Sequence, residues 1–110
     1  MNGPFLLNSA TIDLRVKRTA PGTYKASNSK TTVKYVGRSD SDLNAELKSA
    51  HVIRYKYFWY EYATSAIDAF KKECGLYHRN GGEQGKLDNK NHPGRPEDYH
   101  GKCPICKKFG

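Results

Sequence analysis

The chain has 110 residues, with 19 Lys and Arg against 11 Asp and Glu, and a formal net charge of +8. That length predicts one domain, residues 1–110, with a modest core that benefits from a staple. The charge predicts attraction to phosphate backbones or anionic surfaces. No apolar run approaches the roughly 20 residues of a bilayer span, and MNGPFLLNSA has neither a basic start nor a long apolar stretch, which argues against a membrane span and a signal peptide. Three cysteines, an odd number, argue against a disulfide framework and for thiols kept reduced in the cytoplasm.

In chain order, ATIDLRVKR alternates Ile12, Leu14 and Val16 with Asp13, Arg15 and Lys17, the period of a half-buried strand. GTYKAS and TTVKYVG read as two further strands around a polar, Asn-containing turn. SDSDLNAELKSA has Ser and Asp caps and Leu43 and Leu47 one turn apart, so it predicts a helix. RYKYFWYEY is aromatic-rich and predicts a strand covered on both faces. TSAIDAFKKECGLYHRN predicts the longest helix, capped by Thr64 or Ser65, with Ile67, Phe70, Cys74 and Tyr77 on one stripe. From Gly81 to Gly110 the chain is rich in Gly, Asn, Pro and Lys, and burial alone cannot order such a tail. The order predicts a mixed α/β (α+β) domain with a small, mostly antiparallel sheet of three or four strands flanked by helices.

One device that could pin the tail is a metal. Cys103 and Cys106, in KCPICKK, have the Cys-Pro-x-Cys spacing at which two thiolates converge on one tetrahedral ion. Cys74 and His78, at i and i+4 on the long helix, offer the other half from one helix face. His92, in NKNHPGRP, is the alternative to His78. The expected cofactor is a structural zinc that clips residues 81–110 onto the helix.

Two tripeptides bear on function. Gly22-Thr23-Tyr24 and Tyr35-Val36-Gly37 are separated by ten residues, and this pair resembles the signature of the GIY-YIG nuclease superfamily, in which two such tripeptides lie on neighbouring strands. The resemblance runs from Gly22 to Asn89 and extends to the helix, strand and helix that follow. It implies that Tyr24 and Tyr35 are the active-site tyrosines, that Gly37 permits a close backbone approach, that Glu73 holds a catalytic Mg²⁺, and that Asn89 is the asparagine after that helix. It further implies phosphodiester hydrolysis of nucleic acid, DNA rather than RNA, by a metal-dependent endonuclease. Where the family carries an arginine on the first helix this chain has Glu46, which would repel phosphate, and Arg38 or Arg54 would have to substitute from another direction. Two other functions therefore stay open: a nucleic-acid-binding module without catalysis, and a zinc-stapled protein-interaction domain.

Overall fold

A computed structural model of the chain describes residues 1–106 and 108. The fold is α+β. Four strands, β1 (Asn2–Leu6), β2 (Gly22–Ser27), β3 (Tyr35–Ser39) and β4 (Tyr57–Tyr62), form one sheet in the order β1-β4-β2-β3. Every neighbouring pair is antiparallel. The central strands β2 and β4 are the sequences with the densest aromatic and small-residue content, and their two faces are covered by different helices.

On one face, Tyr24 and Ala26 of β2 and Phe58 and Tyr60 of β4 pack under three short helices, α1 (Ser9–Arg15), α2 (Leu43–Leu47) and α3 (Ala50–Ile53). Ile12, Val16, Leu43, Leu47 and Val52 are the helix side of this core. On the other face lies α4 (Ala66–Arg79), whose Leu76 and Tyr77 pack on Val36 of β3. Ser65 caps α4 by accepting from the Asp68 amide at 3.0 Å, and Asp68 reaches back to the Thr64 amide at 2.9 Å. This reciprocal cap satisfies two amides at the helix start.

The stretch ATIDLRVKR, expected as a strand, is instead the helix α1. Its pattern fits both periods: Ile12 and Val16, four apart, are buried, whereas Leu14, which a strand would also bury, is 61% exposed. Asn8 settles the choice locally, because its side chain accepts from the Thr11 amide at 2.8 Å as an N-cap. The fourth strand is β1, which pairs with β4 through Phe5 opposite Phe58. Nothing in NGPFL alternates, and its partner lies more than fifty residues away in sequence, so its pairing had no local signal.

The tail is held by specific contacts. Leu87 is buried against Val36, Leu76 and Tyr77. The Asp88 amide donates to the Lys34 carbonyl at 2.6 Å, and Asp88 accepts from the Tyr55 hydroxyl at 2.5 Å. Asn89 then accepts from the Val36 amide at 2.9 Å and donates to the Val36 carbonyl at 2.8 Å. One side chain thus completes the outer edge of β3 as a neighbouring strand would. No helix among the described residues is long and apolar enough to cross a membrane.

Candidate functional site

An open pocket of about 410 Å³ lies beside β3, lined by Tyr24, Tyr35, Gly37, Arg38, Glu46 and Glu73, with Arg95 from the tail. It draws on β2, β3, α2 and α4. Register explains the tyrosines: Tyr24 pairs with Gly37 across β2 and β3. A Cβ on Gly37 would collide with the Tyr24 hydroxyl and ring. The glycine is therefore the space in which the Tyr24 ring lies. The Tyr35 ring stacks between those of Tyr24 and Tyr55, at centroid distances of 6.2 and 5.9 Å.

Two polar pairs organise the pocket. Tyr24 Oη donates to Glu46 Oε2 at 2.9 Å, and His51 Nε2 lies 3.3 Å from the same oxygen. Arg38 Nη1 donates to Glu73 Oε1 at 2.7 Å and to the Gly94 carbonyl at 2.7 Å, while its Nε donates to Asp40 at 2.6 Å. Arg38 follows Gly37 on β3, and α4 brings Glu73 alongside it. Arg38 thus brings a cation into the pocket from the sheet.

Electrostatics keep the phenols protonated. Burial pushes Tyr24 well above its ordinary range, and the adjacent Glu46 carboxylate pushes it further. Tyr35 is raised likewise by burial and then by Glu46 and Glu73. Burial drives Glu73 up to about 7, against the opposing pull of Arg38.

Asn89 lies outside this pocket, in an adjoining cavity that also exposes Tyr35, Glu73 and His92. Its amide is engaged with Val36, so its role in this structure is to dock the tail. Arg54 lies away from the pocket too, with its guanidinium donating to the Tyr55 hydroxyl at 2.8 Å. Asp40, His51 and Arg95 carried no sequence signal: each sits in a polar stretch whose course depends on the tertiary structure.

The second cluster joins His78, His92, Cys103 and Cys106, whose ligand atoms all lie within 4.8 Å of one another. The spacings are 3.2 Å between the two Nε2 atoms, 3.5 Å from Cys103 Sγ to His78 Nε2, and 3.4 Å from Cys106 Sγ to His92 Nε2. A tetrahedral zinc has bonds of about 2.0–2.1 Å to nitrogen and 2.3 Å to sulfur, hence edges of about 3.3 and 3.6 Å. The rings are oriented for this. His92 Nδ1 faces the Pro93 carbonyl at 2.9 Å and His78 Nδ1 faces the Glu83 carboxylate. A carbonyl only accepts, so His92 carries its proton on Nδ1 and turns a lone pair on Nε2 toward the cluster. The Ile105 amide points at Cys103 Sγ at 3.4 Å. This group can hold a metal such as zinc.

Both histidines belong to the group of four, whereas Cys74, expected as a ligand, lies outside it. Cys74 and His78 share a helix face and both reach Cys103, but only the His78 ring nitrogen joins the ligand atoms gathered with His92 and Cys106. The Cys74 thiol is sealed against Phe70 and Cys103, and burial, then its contact with Cys103, holds its pKa far above the ordinary thiol value. It fills the core as a small hydrophobe.

The chain matches no protein-family model, no curated protein and no solved structure.

Proposed function

We propose that this is a GIY-YIG-like protein that acts on nucleic acid, hydrolysing phosphodiester bonds with a divalent cation at Glu73, and that the His78, His92, Cys103 and Cys106 group holds a structural zinc. The observation that carries the first part is the convergence of Tyr24, Tyr35, Arg38 and Glu73 on one open pocket. Tyr24, Tyr35 and Arg38 come from one hairpin, in which Tyr24 is also a core residue, and α4 brings Glu73 alongside Arg38 from more than thirty residues further on.

The donor set fits a hard cation in kind, because Glu73 and Glu46 bring carboxylate oxygens to the same pocket. Glu73 would be the principal ligand, with one oxygen already hydrogen-bonded to Arg38. Bound there, Mg²⁺ would act as a Lewis acid toward phosphate oxygen. The chain's own groups do the rest. Arg38 presents a guanidinium to phosphate oxygens at the position its Asp40 and Gly94 contacts hold. Tyr35, neutral and partly exposed, donates or relays a proton at its hydroxyl. Tyr24 is held against Glu46, which can accept a proton through it. The +8 charge favours encounter with a polyanion, and DNA is the expected substrate. Thiolate ligation of the structural metal suits a reducing, cytoplasmic compartment.

A second reading, a module that binds nucleic acid without cutting it, is favoured by one observation: all three contacts of Arg38 are to groups of the protein itself. A plasmid-cleavage assay with and without Mg²⁺ separates the two. Mg²⁺-dependent nicking that Glu73→Ala abolishes supports hydrolysis. Salt-sensitive DNA binding without cleavage supports the module. Absence of both returns the chain to the class of zinc-stapled interaction domains.

A further inference from the structure

Lys25 of β2 and Arg79 of the last turn of α4 line a second cavity, of about 450 Å³, apart from the pocket around Glu73. Strand alternation explains its position. Tyr24 points to the three-helix face, so Lys25 points to the α4 face, and its cross-strand neighbour there is Trp59. The Lys25 ammonium sits 5.1 Å from the centre of the Trp59 indole. Arg79 Nε donates to the Gly75 carbonyl at 3.2 Å, which leaves the terminal nitrogens of its guanidinium for other partners.

The charge balance of this cavity differs from that of the pocket around Glu73. Arg38 has Glu73 and Asp40, Lys48 has Asp13, and Lys72 has Glu61. No carboxylate lines the Lys25 cavity, and among the described residues neither Lys25 nor Arg79 has one within 4.0 Å. Two cations therefore share one concave site without a counter-charge. Burial and the Arg79 charge both lower the Lys25 pKa below its ordinary range, as expected where like charges are held together. An anion between them adds two attractions that offset the one repulsion.

We propose that Lys25 and Arg79 form an oxyanion site that takes a phosphate group, with the Trp59 indole as its floor. A planar guanidinium matches a tetrahedral phosphate through two parallel N–H donors, and an ammonium adds a point charge from the other side. The phosphate can be a free or terminal one, or a phosphodiester in a nucleic-acid strand. The site does not depend on any chemistry in the Glu73 pocket.

Trp59 is the only tryptophan in the chain, so its emission reports on the ammonium lying against it. The full-length protein is titrated in EDTA with sodium phosphate at constant ionic strength, and separately with a short single-stranded oligonucleotide lacking terminal phosphates. The expected result is a saturable change in Trp59 emission with at least one ligand. Arg79→Gln, at an exposed helix position, should weaken the response about tenfold or more, the loss of one charge-assisted hydrogen bond. Arg79→Lys should weaken it less. A response to phosphate alone assigns the site to free or terminal phosphate, and a response to the oligonucleotide alone assigns it to a strand backbone. An emission change that sodium chloride reproduces at equal ionic strength overturns the proposal. So does a midpoint that Arg79→Gln leaves in place for both ligands.

Discussion

The hydroxyl of Tyr24 donates to Glu46 Oε2 across 2.9 Å, so a glutamate of α2 is the hydrogen-bond partner of a core tyrosine. Glu46 satisfies a phenol that is otherwise fully buried. Glu46→Ala should therefore cost about 1–3 kcal/mol, the penalty of leaving a buried donor unpaired, read as a lower urea midpoint with unchanged slope. Glu46→Arg removes the same acceptor but also a negative charge from the pocket. It should lower stability by a similar amount while tightening DNA binding at low salt. Tighter binding together with the stability loss supports a phosphate-facing pocket; the stability loss alone marks Glu46 as structural.

Glu73 gives a pH signature. Burial raises its folded pKa to about 7, whereas an unfolded glutamate titrates near about 4.3. Between these values the native state binds more protons than the unfolded one, so stability falls as pH rises through the window and levels off above it. The Glu73 contribution to this fall is at most about 4 kcal/mol. Glu73→Gln should flatten the difference in denaturation midpoint between pH 5 and pH 8 in divalent-free buffer, since the other titrating groups are common to both proteins. Parallel pH profiles for the two proteins would show that Arg38 keeps Glu73 ionised throughout.

Most of the α+β architecture was legible because local signals agreed with tertiary ones. The β2 and β3 strands, the Asp42 cap before Leu43, and the Ser65 cap with Phe70, Cys74 and Tyr77 of the expected stripe each matched the environment the residue met, whereas Ile67 of that stripe is 41% exposed. ATIDLRVKR misled because three alternating apolar residues also place Ile12 and Val16 one helical turn apart, and only the Asn8 cap breaks the tie. The resemblance grouped Tyr24, Tyr35, Gly37 and Glu73 and left Arg38 and Arg54 open; the first four and Arg38 line one pocket, and Arg54 does not. The metal group was legible in type but not in membership. Spacing along α4 makes Cys74 and His78 neighbours, and both touch Cys103, yet the path of residues 88–95 brings His92 to Cys106 and His78 and so leaves Cys74 outside the group. The Lys25 cavity had no sequence signal, because it exists only where β2, β4 and α4 meet.

Asn89 should behave as an edge clamp rather than as a catalytic group. Its side chain engages both the amide and the carbonyl of Val36. Asn89→Ala frees both groups at the β3 edge and should cost about 1–3 kcal/mol. Hydrogen exchange at the Val36 amide should accelerate more than at the Lys25 amide in the sheet interior. Asn89→Asp keeps the acceptor and loses the donor, so it should protect the Val36 amide while remaining less stable than the wild type. If Asn89→Ala leaves exchange at Val36 unchanged, the Asn89 side chain is not what protects the β3 edge.

Metal removal should release the tail and loosen the pocket together, because one segment serves both. His92 belongs to the His/Cys group, and two residues later the Gly94 carbonyl accepts from Arg38 at 2.7 Å. Protein purified without added zinc should carry one zinc per chain, and thiol modification should release it. His92→Ala and Cys103→Ser should each abolish stoichiometric binding and expose residues 81–106 to limited proteolysis. Cys74→Ala should keep the metal and lose only core packing, on the order of 1–2 kcal/mol for a small buried side chain. That contrast separates a ligand from a buried neighbour, since all three positions lie in or beside the same cluster. Loss of the metal should also free Arg38 from one of its three anchors, visible as faster exchange at the Arg38 side chain by NMR. A metal-free protein with the tail still protected from protease would show that the Leu87 and Asn89 contacts suffice, and that the four side chains meet for packing alone.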